Sequence, residues 1–177
     1  MNSGTVESHC PGCGLSMPPT GATTYDGYFN TSQECWSVFT EVIGAEFSNA
    51  ALFGRVHQLT VDAYAVQHAG GRHPDKSVCI HLTGLYLVLE RGLPPPSVAP
   101  YLQTLASRVH EWPHFEPPSI IWPRTIFDVA TADDHTAAVR EWSTGVWAEW
   151  GMHHQVIANL CAESFFTTET QRKTNSL

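Results

Sequence analysis

Val56–His81 reads VHQLTVDAYAVQHAGGRHPDKSVCIH and predicts two helical segments joined by a Gly-Gly turn. The stretch holds four of the ten histidines of the chain. On a helix with about 3.6 residues per turn, His57, Tyr64 and His68 share one stripe, and Asp62 lies to one side of it. Imidazoles beside a phenol and a carboxylate suit neither an apolar core nor a plain solvated face. We therefore expect a metal ion or a substrate to lie against this stripe.

Apolar residues at helical spacing continue on both sides of this stretch, and connectors rich in proline and glycine separate the segments. We predict helices over roughly 32–47, 49–68, 74–92, 97–110 and 132–161, with a short extended piece at Thr125–Val129. The predicted fold class is all-α, an antiparallel bundle of about five helices. The expected domains are a Pro/Gly-rich, zinc-knuckle-like segment at 1–31, the helical bundle at 32–166 and a disordered polar tail at 167–177.

The composition limits the classes of function. Nine Lys and Arg residues against seventeen Asp and Glu residues give a formal net charge of −8. Nucleic acids and anionic membranes need a basic surface, so this charge argues against both as partners. The polar start of the chain and the lack of a long apolar run predict neither a secretion signal nor a membrane span. Five cysteines, an odd number, argue against a disulfide framework and favour a reducing, cytoplasmic setting.

Two of the cysteines form the motif Cys10-Pro-Gly-Cys13, which a further glycine follows. In a zinc knuckle such a turn points both thiolates at one ion, and the trailing glycine permits a left-handed backbone. Cys35 would supply a third thiolate from the first turn of a helix. Zinc usually takes four ligands, and we prefer His57 as the fourth, with His9 as the alternative. The competing interpretation is that Cys35 is an ordinary buried cysteine and the CxxC motif a redox or idle pair.

Four further histidines fall on three separate predicted helices: His68 on the second, His81 on the third, and His153 and His154 on the longest. In an antiparallel bundle such side chains can converge on one ion, which predicts a second site for a divalent metal. Asp62 is a candidate general base or orienting partner at that site, and Tyr64 a candidate hydrogen-bond donor to an oxyanion. A single histidine on a helix is otherwise a surface residue or a hydrogen-bonded core residue, so the alternative is that these positions form no site.

Gly145 and Gly151 fall inside the longest predicted helix, which they weaken by roughly 1 kcal/mol each. We expect them to permit the close approach of another helix or of a ligand. Trp112 and Trp122 stand in proline-rich loops, where they are candidates for lining the mouth of a pocket. Anchoring of the loops explains these two tryptophans equally well.

Several motifs together resemble a family of uncharacterised bacterial proteins. They are Cys10–Gly14 (CPGCG), Ser32–Trp36 (SQECW), Val61–His68 (VDAYAVQH), His81-Leu82, Trp112-Pro113 and Trp150–His154 (WGMHH). The resemblance extends over about residues 8–162 and implies no established activity.

A more distant resemblance concerns the end of the longest predicted helix. Trp150–Ile157 is similar to the last metal-binding helix of the DinB-like helical bundles, which hold a divalent ion with three histidines. This resemblance implies His154 as one ligand and His57 or His68 as another. The position that would carry the partner histidine, four residues before His154, is Trp150.

Three functions agree with these patterns. We favour a metal-dependent enzyme that acts on a small molecule by hydrolysis or group transfer, with zinc as a structural ion and a second divalent ion at the reacting centre. The alternatives are a non-enzymatic, zinc-stapled binding or scaffold protein and a protein that stores or senses metal. The expected partner is a small-molecule substrate, with neither nucleic acid nor membrane, and the formation of a homodimer is left open.

Overall fold

The computed structural model describes residues 7–19, 25 and 27–174, with side chains through residue 165. The prediction of an all-α fold is confirmed, since seven α-helices, two short 3₁₀ helices and one small hairpin make up the regular structure of this part of the chain. The helices are α1 Gln33–Phe47, α2 Ala50–Gln67, α3 Asp75–Leu89, α4 Ala99–Arg108, α5 Ile126–Ala130, α6 His135–Glu149 and α7 His154–Thr174. The hairpin pairs β1 Ser8–His9 with β2 Ser16–Met17 in antiparallel register. The tail predicted at 167–177 falls on residues whose side chains are outside the described part, and that expectation stays a prediction.

Local capping signals set the ends of the first two helices. The Ser32 side chain accepts a hydrogen bond from the backbone N–H of Cys35 at the start of α1. The Asn49 side chain does the same for two amides at the start of α2. Gly70 and Gly71 follow the end of α2 with φ angles of 94° and 58°, which side chains other than glycine rarely adopt. The sequence therefore predicted both helices within a residue or two of their ends.

Two predictions about the C-terminal half are wrong. The long helix expected over 132–161 is interrupted after Trp150, where a 3₁₀ turn, Gly151–His153, redirects the chain before α7 begins. The segment Thr125–Val129, expected to be extended, forms most of α5 instead. Thr125 and Asp128 form a capping box there, in which each side chain bonds the backbone of the other residue, and this satisfies the amides of a five-residue helix.

Helix α2 lies at the centre of the bundle and packs against α1, α3 and α6. All of its residues from Asp62 to Gln67 are buried, the polar ones included. Buried polar side chains need partners inside the protein. Gln67 has such partners: its side chain accepts a hydrogen bond from the indole N–H of Trp142 and donates one to the backbone carbonyl of Arg124. The interior around α2 therefore holds polar groups in fixed positions, which a purely apolar core would not.

Of the helices in the described residues, none is both long enough and apolar enough to span a lipid bilayer.

Candidate metal centre

The CxxC motif forms the turn of the N-terminal hairpin. The backbone N–H of Cys10 donates to the carbonyl of Leu15 at 2.8 Å, and that of Gly14 donates to the carbonyl of Cys10 at 2.9 Å. Gly14 has a φ of 77°, in the left-handed region that favours glycine. The turn therefore has the conformation that the trailing glycine predicts, and both of its cysteines are buried.

This turn is pressed against the C-terminal end of α2. A β-carbon at Gly12 would lie 2.4 Å from the carbonyl oxygen of Asn30 and 2.8 Å from Cδ2 of His68, which leaves room only for glycine. From the other side, the indole N–H of Trp122 donates to the carbonyl of Gly12 at 3.1 Å. His68, the capping residue of α2, thereby faces the two thiols of the turn.

Four side chains meet at this point: Cys10, Cys13, Cys35 and His68. Their ligand atoms all lie within 4.8 Å of one another, and none of the residues is more than 4% exposed. The Sγ atoms of Cys13 and Cys35 are 3.7 Å apart, and Sγ of Cys35 is 3.4 Å from Nε2 of His68. Tetrahedral zinc with bonds of about 2.3 Å to sulfur would place two sulfurs about 3.8 Å apart. The spacing therefore fits a tetrahedral metal ion.

The same distances exclude a disulfide in this cluster. A disulfide bond joins two sulfur atoms at about 2.05 Å, and all five cysteines have free thiols. Three neighbouring thiols and one imidazole instead form the Cys₃His donor set found in structural zinc sites. These residues can therefore hold a metal ion.

Neighbouring groups orient the four side chains. Nδ1 of His68 lies 2.7 Å from the carbonyl oxygen of Tyr64, so Nδ1 carries the proton and Nε2 is free to bind a metal. The Tyr64 hydroxyl donates to Sγ of Cys35 at 3.7 Å and lies 2.8 Å from Oγ1 of Thr31. That threonine oxygen is in turn 3.4 Å from Sγ of Cys10. Tyr64 and Thr31 thus form a second layer of polar contacts around the sulfurs.

The pKa values of Cys10, Cys13 and His68 are shifted in different directions. Hydrogen bonds with Cys13 and Cys35 hold the pKa of the Cys10 thiol well below its usual range. Hydrogen bonds with Cys10 and Cys35, together with burial, raise the pKa of the Cys13 thiol. Burial disfavours a charge on His68, but its hydrogen bonds with Cys10 and Cys35 outweigh burial and raise its pKa to about 9. The cluster thus favours a thiolate beside an imidazolium, and a divalent cation would replace such protons.

The structure places His68 rather than His57 beside the thiols, which corrects the preferred fourth ligand. His57 lies eleven residues earlier on α2, about 16 Å along a helix. Its Nδ1 is 2.8 Å from Oε2 of Glu46, at the far end of the bundle from the cysteines. The alternative ligand, His9, is exposed on β1. The sequence alone does not distinguish His57 from His68, because both lie on one stripe of α2. The hairpin packs against the carboxyl end of α2, and this contact makes His68 the ligand.

The second metal site, expected from histidines on different helices, does not assemble among the described residues, where the Cys₃His group is the only such cluster. His81 places Nδ1 2.8 Å from Oδ1 of Asp62. His153 donates to the carbonyl of Glu116, and His154 donates to that of Trp147 while its ring stacks on the indole at 3.7 Å. These three histidines therefore bond to separate partners, and His68 belongs to the thiol cluster.

Asp62, a predicted catalytic residue, is fully buried and is not part of the Cys₃His cluster. Gln58 donates to both of its carboxylate oxygens at 2.9 Å, and Nδ1 of His81 lies 2.8 Å from Oδ1. Burial raises the pKa of Asp62, although His81 and Gln58 oppose that effect. Helix α3 leaves space for the carboxylate only because residue 84 is glycine: a β-carbon there would lie 2.0 Å from Oδ2 of Asp62.

A second buried carboxylate, Glu46, was missed in the sequence. Its Oε2 meets Nδ1 of His57, while Oε1 lies 2.9 Å from Nε2 of His135 and accepts a hydrogen bond from Thr60 at 2.6 Å. One fully buried side chain thus joins α1, α2 and α6. A signal was present, because position 46 continues the buried face of α1 that runs through Cys35 and the residues 38, 39 and 42.

Comparison with curated proteins and with solved structures gives no match. The resemblance to DinB-like bundles therefore stays a prediction. A family model, by contrast, matches residues 8–151, a range that contains the hairpin, α1 to α6 and all four residues of the metal centre. This chain belongs to the family that the model describes, DUF5946, a family of unknown function.

Proposed function

We propose that this protein is a zinc-binding protein whose Cys₃His centre holds one structural ion. The observation that carries the proposal is the convergence of four buried ligand atoms within 4.8 Å of one another. They come from three separate parts of the chain: the hairpin supplies two thiols, α1 supplies Cys35 and α2 supplies His68. An ion bound there would tie the hairpin to the helical bundle.

Zinc is the metal that this donor set favours. Three thiolates and one imidazole in tetrahedral arrangement are typical of structural zinc sites. Carboxylate and carbonyl oxygens, which magnesium and calcium prefer, are absent from the four ligand positions. The proposal includes a reducing setting such as the cytoplasm, because oxidation of the thiols would compete with metal binding.

The geometry supports a structural role better than a catalytic one. Catalytic zinc ions keep one coordination position open for water or substrate, whereas here the protein offers four ligands. All four residues are buried, which favours an ion enclosed by the protein over one exposed to a substrate. Tyr64, predicted to act on an oxyanion, is itself fully buried and bonded to Thr31 and Cys35. This favours the zinc-stapled protein over the enzyme as the interpretation of the cysteine site.

Metal analysis of the purified protein tests the proposal. We expect about one zinc ion per chain, lost in Cys10→Ser and in His68→Ala, together with a fall in melting temperature, because metal-binding energy contributes to folding. Cys79→Ser is the matched control: Cys79 is buried in α3 outside the cluster, so the variant should keep its zinc even if it loses stability. Wild-type protein that contains no metal and melts at the same temperature with and without a chelator would refute the proposal.

A metal-independent enzyme is the second candidate, and one pair of residues favours it. The buried Asp62 accepts from Nδ1 of His81, an arrangement in which a carboxylate fixes the tautomer and orientation of a catalytic histidine. The His81 side chain is 18% exposed, so its ring is within reach of solvent. In this proposal His81 is the general base, Asp62 its orienting partner, and the substrate a small molecule undergoing hydrolysis or group transfer.

Hydrolysis of a generic activated ester tests this second candidate. We expect a rate above the uncatalysed one that falls by about 10²–10⁴-fold in His81→Ala, the contribution typical of a general base. His114→Ala is the control, because His114 is an exposed histidine that also pairs with a carboxylate, Asp75. Equal rates for wild type, His81→Ala and His114→Ala would remove the enzyme proposal.

A further inference from the structure

The loop that joins α4 to α5, residues 110–124, is long and has little internal support. It contains four prolines, which have no backbone N–H to donate. In the described part of the chain, no residue of this loop forms a hydrogen bond between two backbone groups. Loops of about 12–15 residues or more without secondary structure are uncommon and usually serve as lids or binding loops. The position of the 110–124 loop therefore depends on side-chain contacts with the rest of the protein.

A small number of side chains hold the 110–124 loop against the bundle. Phe115 and Trp122 are buried, with 3% and 8% of their surface exposed. The Gln67 side chain donates to the backbone carbonyl of Arg124 at 2.8 Å, which fixes the end of the loop to α2. Two roles were expected for Trp122, lining a pocket and anchoring its loop, and its burial supports the role of an anchor.

The anchor formed by Trp122 reaches the metal-binding turn directly. Its indole N–H donates to the carbonyl of Gly12 at 3.1 Å. Gly12 lies between the two ligands of the CxxC turn, Cys10 and Cys13, so the position of these ligands fixes the carbonyl that accepts the bond. Because metal–ligand distances are held to about 0.2 Å, a bound ion would restrict the movement of this acceptor as well. One hydrogen bond therefore connects the metal centre to the 110–124 loop.

The 110–124 loop forms one wall of two surface clefts. One cleft, of about 380 Å³, lies between the loop, the hairpin turn and the carboxyl end of α2. The other, of about 440 Å³, lies between the loop and the start of α3. Gly70, Glu116 and Pro117 line both clefts. Movement of the loop away from α2 would therefore open both of them.

We propose that zinc binding closes the 110–124 loop over the carboxyl end of α2. With the ion bound, the turn presents the carbonyl of Gly12 to Trp122 and the loop packs against the bundle. Without the ion, the turn moves, this hydrogen bond is lost and the loop opens both clefts. The inference rests on the zinc centre proposed above and adds a conformational role to that site. Coupling of this kind is reciprocal, so the closed loop strengthens zinc binding by the same factor by which zinc favours closure.

Limited proteolysis of the full chain tests the proposal, with proteinase K as the probe because this serine protease needs no zinc. Mass spectrometry maps the cuts, and metal analysis of the same samples records whether zinc is bound. Proteolysis follows the population of the open form, so removal of zinc with a chelator should speed cleavage within 110–124 by at least about twofold relative to cleavage within the helices. Equal relative cleavage of the loop with and without bound zinc would overturn the proposal alone. Wild-type protein that holds no zinc would refute the zinc centre itself, and the loop closure with it.

Trp122→Phe keeps an aromatic ring in the loop but removes the donor to Gly12. In the zinc-bound variant we expect cleavage of the loop to rise by about two- to tenfold, the range for loss of one hydrogen bond, and the dissociation constant for zinc to rise by a similar factor. Trp112→Phe is the matched control, because it makes the same exchange in the same loop. The Trp112 ring lies 5.5 Å from the ammonium group of Lys76 on α3, so this variant should bind zinc as tightly as the wild type.

The comparison of these two variants needs no zinc-free protein, so it decides even if the chain unfolds without metal. Circular dichroism checks that both variants fold, and if Trp122→Phe does not, the comparison of zinc-bound with zinc-free wild type decides instead. Wild-type cleavage and wild-type zinc affinity in Trp122→Phe would refute the coupling. An equal loss of zinc affinity in both variants would refute it as well, because the hydrogen bond to the turn would then have no special effect.

Discussion

Replacing Gly12 with alanine tests how tightly the metal-binding turn packs on α2. The added β-carbon would lie 2.4 Å from the carbonyl oxygen of Asn30, and 2.8 and 3.0 Å from Cδ2 and Cα of His68. Non-bonded heavy atoms are most stable at about 3.5 Å or more, so the shortest contact must open by about 1 Å. Two of the three atoms belong to the backbone, and no rotation of a side chain can relieve the clash. The turn must therefore move away from His68.

That movement is large for a metal site. Ligand distances in such sites are held to about 0.2 Å, whereas the turn carries two ligands, Cys10 and Cys13, away from a third on α2. Overpacking of this kind costs about 1–3 kcal/mol. If the cost falls on the bound state, the dissociation constant for zinc rises by about 5- to 150-fold. We expect Gly12→Ala to keep its helical content and to bind zinc more weakly by this factor.

Competition with a chromophoric chelator measures the affinity of Gly12→Ala for zinc directly. Gly44→Ala is the control, because Gly44 lies on α1 with no atom within 4 Å of a β-carbon, and its zinc affinity should equal that of the wild type. If Gly12→Ala bound zinc as tightly as the wild type, the turn would not be packed against His68 as the structure shows, and the reasoning would fail.

Three further predictions concern the buried carboxylates. Gly84→Ala forces a β-carbon onto Asp62, so we expect urea unfolding to show a free energy of unfolding lower by about 1–3 kcal/mol. In the control Gly44→Ala, the free energy of unfolding should rise by up to about 1 kcal/mol. Equal stabilities of the two variants would contradict the close contact. Burial raises the pKa of Asp62 above its ordinary value of 3.8, so the folded state holds this proton more tightly than the unfolded chain. As the pH rises from the ordinary pKa toward the raised one, the free energy of unfolding of the wild type should therefore fall relative to that of Asp62→Asn. A difference between the two unfolding midpoints that does not change with pH would oppose this assignment. Glu46→Gln breaks a buried network of two histidines and a threonine, so we expect the free energy of unfolding, measured with urea, to fall by about 3–5 kcal/mol. Glu41 is exposed, and Glu41→Gln should change this free energy little. Similar values for both variants would mean that the network contributes nothing to stability.

The sequence predicted what local interactions decide. Ser32 and Asn49 are good helix caps, and the Gly-Gly turn ends α2, so the first helices lie where capping and apolar spacing place them. The break after Trp150 was not predicted, because the apolar spacing continues through it and only a glycine marks the interruption. Helix α5 was missed because a five-residue helix shows no periodicity, although Thr125 and Asp128 carry the spacing of a capping box.

The metal centre could be predicted in part for a related reason. Cys10 and Cys13 are close in sequence, and a CxxC turn by itself indicates a metal site. The choice of His68 over His57 depends on where the hairpin docks on α2, and that is decided by tertiary contacts such as the fit of Gly12 against Asn30. The expected second site failed because it required His81 and His153 to converge across helices whose rotation and breaks the sequence does not specify.

The position of the centre between two helix ends has an electrostatic consequence. A helix carries roughly half a positive elementary charge at its amino end and half a negative charge at its carboxyl end. His68 caps the carboxyl end of α2, where the negative end attracts a cation, and Cys35 lies in the first turn of α1, whose positive end attracts the negatively charged sulfur of a metal-bound cysteine. The backbone of the bundle therefore adds to the attraction for the ion. A short peptide that supplied the same three thiols and imidazole without these helices would hold zinc less tightly than the folded chain.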